Sequence, residues 1–210
     1  DNVDGNLARA RGEVSRLGRF LDSLTDFIVS FLVYLVLTLR LVSETSNPLY
    51  WFLGGLSLLS CLIHCSYFVF YLVQYTSISG TYLSNRADEN ITEEDNAVYD
   101  KGELSTLVYF LQRSHVFLYG WQDKAIEWFD RLGKRLGSKS KPQRLSGNAW
   151  YGDKVFLTLI SPLCLCTNNM LLVFFSLVDA IEFGFWFIVV VGNSYLFLLQ
   201  VWKIIKARNI

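Results

Sequence analysis

The stretch DNVDGNLARARGEVSRLGRFLDSLTD (residues 1–26) runs without a break into FIVSFLVYLVLTLRLV (27–42). The second part is apolar enough for the interior of a bilayer, yet the first sets Asp1, Asp4, Asp22 and Asp26 in or beside it. A carboxylate at the edge of such a segment is costly to bury alone, so these acids are expected to have a task.

The 210-residue chain is 52% hydrophobic and 16% aromatic, with a mean hydropathy of +0.31. These are the values of a membrane protein. Apolar runs at 20–42, 49–75, 155–178 and 183–205 are each long enough to cross a hydrocarbon core of about 30 Å. Only helices satisfy their own backbone in lipid at such lengths, so the expected fold class is an all-α, polytopic membrane helix bundle with four complete transmembrane helices. The polar N-terminal segment lacks the apolar core and small-residue cleavage site of a signal peptide, and insertion is expected to rely on the spans.

The net charge of zero conceals a segregation. Of the 19 lysines and arginines, all but Arg40 fall before the first span, around Arg86, between Lys101 and Lys154, or at Lys203, Lys206 and Arg208. The positive-inside rule makes that side cytoplasmic, with SETSNP (43–48) and Asp179–Glu182 as external turns. The four acids and residues 90–154 then face the cytoplasm, and no nucleic-acid partner is expected.

Three regions follow: 1–89 with the acidic motif and two spans, a hydrophilic insertion at 90–154, and 155–210 with the last two spans and a basic end. In the insertion, ENITEEDNAVYDKGE (89–103) reads as an acidic linker. Beyond it, Leu104, Leu107, Val108 and Leu111, then Trp121, Ala125, Trp128, Phe129 and Leu132, recur at helical spacing, with Gly120 a candidate break between two helices. Trp121, Trp128 and the Lys134–Arg144 basic cluster suit a helix on an anionic leaflet. A hairpin packed on the bundle, or on a second subunit in a homodimer, fits the same pattern.

Cys61, Cys65, Cys164 and Cys166 all fall within spans, so no disulfide framework is expected. Cys61, His64 and Cys65 share a helix face but read as packing residues more readily than as metal ligands. His115 reads as a residue of the amphipathic helix.

The spacing of the acids is more specific. On a helix, Asp1, Asp4, Gly5 and Ala8 form one stripe, and Gly18, Asp22 and Asp26 repeat the device at steps of four. Two helices packed through these faces would gather four carboxylates, whose mutual repulsion a divalent cation relieves; oxygen-rich sites suit Mg²⁺, Mn²⁺ or Ca²⁺. The small residues permit close approach, and Arg9 is a fixed cation suited to phosphate.

Written D-x-x-D-G-x-x-A-R, eight residues, G-x-x-x-D-x-x-x-D, the pattern resembles the signature of the CDP-alcohol phosphotransferase family, with Asp1, Asp4, Gly5, Ala8, Arg9, Gly18, Asp22 and Asp26 all in place. The resemblance implies a metal-dependent enzyme of phospholipid biosynthesis. A CDP-linked alcohol passes its phosphoalcohol group to the hydroxyl of a second alcohol, CMP leaves, and one partner is a lipid. By motif position, Asp1, Asp4, Asp22 and Asp26 would surround Mg²⁺ or Mn²⁺, and Asp26 would be the general base. Gly5, Ala8, Arg9 and Gly18 would accommodate the cytidine and diphosphate. The family fold has six helices, so the resemblance also implies two helices upstream of a fragment that begins on the first motif aspartate.

Members that use phosphorylated acceptors carry a basic cluster resembling S-Y-x-R-A-R-A-E. The corresponding TYLSNRADE (81–89) has Ser84 where one arginine would stand and retains Arg86, which disfavours glycerol 3-phosphate or inositol phosphate as acceptor. Transfer from CDP-diacylglycerol to a small polar alcohol is the leading expectation, with transfer of a small phosphoalcohol from its CDP derivative to diacylglycerol as the alternative. Outside the family stand a cation transporter, since intramembrane carboxylates often mark ion pathways, and an inactive membrane scaffold. The transporter leaves the small residues and Arg9 without a role.

Overall fold

A computed structural model describes residues 16–79, 106–138 and 150–208, and among the described residues there is no strand. The helices are α1 (Arg16–Thr45), α2 (Leu49–Ser79), α3 (Thr106–Gly137), α4 (Lys154–Ile160), α5 (Leu165–Leu177), α6 (Ile181–Trp186) and α7 (Asn193–Arg208). Among the described residues, four stretches are long and apolar enough to cross a membrane: Leu21–Thr45, Leu49–Ser79, Lys154–Leu177 and Ile181–Arg208. The chain is an all-α integral membrane protein, as its hydropathy predicts.

It divides into two compact units, one of Asp1–Val29 with Asn85–Trp121 and one of Ser30–Ser84 with Gln122–Ile210. In the first, the start of α1 packs on the first half of α3. Phe27 meets the Tyr119 ring edge-on at 6.5 Å, and the Tyr119 hydroxyl donates to the Ser23 carbonyl at 2.9 Å. His115 lies against the same tyrosine, with ring centroids 5.1 Å apart.

The second unit is a bundle with two buried apolar clusters, one around Tyr34, Cys61 and Phe185 and one around Tyr67, Tyr71, Phe156 and Ile160. Helices α1 and α2 approach closely because a Cβ at Gly54 would overlap the Thr38 side chain. Their connection reverses at Ser46, whose φ is 55°. Asn47 Oδ1 then accepts from the Leu49 N–H at 3.0 Å, opening α2. The second reversal is at Asp179, with φ 56°. Arg40 Nη2 donates to Asp179 Oδ1 at 2.5 Å and Tyr50 to Glu182 Oε2 at 2.8 Å, so both turns lie at one end of this unit.

The last two spans are not the plain helices their apolar runs suggest. Pro162 has no N–H to donate, and the third span breaks there into a 3₁₀ turn, Ser161–Leu163, with Cys164 extended before α5 begins. Asn168 Nδ2 donates to the carbonyls of Leu163 at 3.3 Å and Cys164 at 3.0 Å, satisfying backbone oxygens near the break. The fourth span passes through a π-helical segment, Phe187–Gly192, between α6 and α7.

Helix α3 continues through Gly120 without a break. A single glycine costs a helix only about 1 kcal/mol, and the buried positions 111, 115, 119, 122, 126, 130, 133 and 137 keep one phase across it. Trp121, Ala125, Trp128 and Leu132, the apolar face that spacing selects, are exposed, whereas Gln122 and Asp130 are buried. In the second unit, Ser66 Oγ donates to Gln122 Oε1 at 2.8 Å, and Arg208 Nε to the Leu136 carbonyl at 3.0 Å. Residues 122–137 therefore pack on α2 and α7 through polar groups as well as through Ile126 and Phe129.

Candidate active site

Of the motif residues, Asp1, Asp4, Gly5, Ala8 and Arg9 lie outside the described residues, and Gly18, Asp22 and Asp26 lie on α1. Steps of four turn each position only about 40° from the last, so the glycine and the two acids share a face. Asp22 and Asp26 are both exposed. Tyr119 grips α1 at Ser23 and Phe27, each about 100° around from the acid before it. The helix is thus braced from the side while the carboxylates stay uncovered.

Among the described residues no three His, Cys, Asp or Glu side chains come together as a metal site, Cys61, His64 and Cys65 included. Asp22 and Asp26 are hard oxygen donors one helical turn apart, and none of the ion pairs among the described residues holds either to a basic side chain. That donor set fits Mg²⁺ or Mn²⁺.

The second unit contains a polar centre that apolar spacing does not reveal. Asp130 is 2% exposed, and its carboxylate accepts from the Tyr71 hydroxyl at 2.7 Å, the Trp150 indole N–H at 2.8 Å and the Tyr151 hydroxyl at 2.8 Å. Lys134 Nζ stands 3.5 Å from the same carboxylate. Beside it, the Tyr67 hydroxyl donates to Gln200 Oε1 at 2.7 Å. Gln200 fits against α3 because position 133 is glycine, where a Cβ would overlap its amide.

Lys203, which charge counting groups with the basic C-terminal end, is buried here. Its ammonium lies over the rings of Tyr71 and Phe156, at 3.5 and 4.1 Å from their centroids. The reason is position: Lys203 follows Gln200 by three residues and so continues the inward face of α7. Asp130 could have been found as a lone acid in phase with Ile126 and Gly133, and Gln200 and Lys203 as polar residues on the α7 face that buries Leu196 and Leu199.

Residues 1–92 match the family model described as CDP-alcohol phosphatidyltransferase. Neither the curated proteins nor the solved structures yield a match. The family's reaction is phosphoalcohol transfer from a CDP-alcohol, carried out by membrane enzymes of phospholipid biosynthesis. The matched stretch contains the entire acidic motif, from Asp1 to Asp26, and supports assigning the chain to the CDP-alcohol phosphatidyltransferase family.

Proposed function

We propose that the chain catalyses transfer of a phosphatidyl group from CDP-diacylglycerol to the hydroxyl of a small polar alcohol, releasing CMP at the cytoplasmic leaflet. The observation that carries this reading is the exposed pair Asp22 and Asp26 on α1, in register with Gly18 and inside the matched stretch. Asp26 takes the proton of the acceptor hydroxyl as that oxygen attacks the phosphorus bonded to the lipid alcohol. The new P–O bond forms as the bond to the CMP oxygen breaks. Arg9 and the small residues Gly5, Ala8 and Gly18 receive the nucleotide diphosphate. Asp1, Asp4, Asp22 and Asp26 would hold Mg²⁺ or Mn²⁺, whose charge offsets that of the departing CMP.

The test is product analysis with purified protein in bilayers, using a panel of CDP-alcohols and acceptors. CMP release that requires CDP-diacylglycerol and a small alcohol together is expected. Release that requires diacylglycerol and a water-soluble CDP-alcohol would reverse the roles of the partners. Cation flux with no CMP under any pairing would overturn the enzyme reading.

A further inference from the structure

At the middle of α2, His64 is fully buried between two asparagine amides. Its Nδ1 faces Asn168 Oδ1 at 3.4 Å and its Nε2 faces Asn193 Oδ1 at 3.2 Å. Neither amide is free to turn. Asn168 Nδ2 donates to the Leu163 and Cys164 carbonyls, and Asn193 Nδ2 donates to the Val189 carbonyl at 2.7 Å and to Ser60 Oγ at 2.9 Å. Flipping either would press an amide oxygen against a carbonyl oxygen.

Both ring nitrogens therefore face acceptors, while a neutral imidazole has only one N–H. The neutral ring can serve Asn168 through Nδ1 or Asn193 through Nε2, leaving lone pairs opposed at the other contact. Only the imidazolium serves both. The two asparagines also stand at the two irregularities of the later spans: Asn168 just after the 3₁₀ break and Asn193 directly after the π-helical segment. Gly192 closes that segment, and a Cβ there would overlap the His64 ring. A π-helical turn marks functional sites often, and an ionisable group inside a span is rarely retained without use.

The titratable groups of these elements include the thiols Cys61 and Cys65 that flank His64 on α2, Cys164 before α5, and the Tyr34 phenol of α1, which shares a cluster with Cys61. The π-helical segment carries none. We propose that His64 is an intramembrane proton-binding site: a second proton bonds the ring to Asn168 and Asn193 at once and pins both irregular spans to α2, and its release frees one of them. The proposal is independent of the transferase reading.

The experiment is solid-state NMR of the whole chain in lipid bilayers with ¹⁵N-labelled histidine, His64 being assigned by the signals lost in His64→Gln. Between about pH 8 and pH 5, where histidine changes charge, its ring is expected to pass from one protonated nitrogen to two. A ring that keeps one protonated nitrogen across that range overturns the proposal without any variant. In the folded variants Asn168→Leu and Asn193→Leu, proton binding should weaken about tenfold each, a shift of roughly one pH unit. An unchanged midpoint in both would equally overturn it.

Discussion

Lys203 Nζ lies 3.5 Å from the centre of the Tyr71 ring, and the same tyrosine donates its hydroxyl to Asp130 at 2.7 Å. One residue thus offers its π face to a buried cation and its proton to a buried anion. The ammonium makes no hydrogen bond among the described residues, so ring faces and the nearby carboxylate stabilise its charge.

Asp130→Asn should therefore be strongly destabilising. Its amide NH₂ would face donors that now point at a carboxylate, and the Lys203 charge would lose its neighbour. A loss of about 2–4 kcal/mol is expected, read as a lowered thermal midpoint in detergent. Adding Lys203→Met should restore at least about 1 kcal/mol, since a neutral side chain of similar length needs no counter-charge. Strict additivity of the two changes would show that the charges do not interact.

Asp153 supplies a pH-dependent contribution. Burial opposes its ionised form. Even so, the Lys206 ammonium at 2.6 Å and the N–H groups of Phe156 and Val155 hold its carboxyl below the ordinary value of 3.8. A depressed acid stabilises the fold above its unfolded value and loses that contribution as pH falls through its folded one. Asp153→Asn keeps a helix cap but not the charge. Wild type should exceed it in stability by a constant amount above about pH 5, and the gap should close progressively below about pH 4. A gap independent of pH would assign the effect to packing.

The Arg40–Asp179 and Tyr50–Glu182 contacts place both turns of the second unit at one end, and the charge segregation of the sequence predicts that end to be external. A cysteine replacing Ser46, in a chain lacking the four native cysteines, should react with an impermeant thiol reagent on intact cells. One replacing Ser138 should be shielded. The reverse labelling would invert the topology and place the acids of α1 on the wrong face for cytoplasmic CDP-alcohols.

Hydropathy made the spans legible because lipid demands long uninterrupted apolar helices, and α1 and α2 match their apolar runs closely. The interior was less legible. An apolar stripe is ordinarily read as the inward face, but α3 hides Gln122 and Asp130 while exposing Trp128. The break at Pro162 lay inside a run read as one span, although the missing proline N–H could have marked it. Nothing in the run Phe187–Gly192 announces a π-helical turn, which is visible only through what it positions, Gly192 and Asn193 against His64. Of the acidic motif, the shared face of Gly18, Asp22 and Asp26 was legible by spacing, since steps of four fix a face before any packing is known.

That shared face leads to the separation of binding from chemistry at Asp26. Both Asp22 and Asp26 are exposed on α1, but only the last acid of the motif is assigned the acceptor's proton. Asp26→Asn retains the side chain's shape and one carbonyl oxygen while losing the ability to accept that proton. CDP-alcohol should still bind, and transfer should fall by at least about 100-fold. Asp22→Asn should act differently, raising the Mg²⁺ or Mn²⁺ concentration needed for half-maximal transfer, because it weakens a ligand and leaves the base intact. Chelation should abolish transfer in the unsubstituted chain, and either metal should restore it. Near-normal transfer by Asp26→Asn would remove it from the base role, and turnover that survives rigorous metal removal would count against a cation among the four acids.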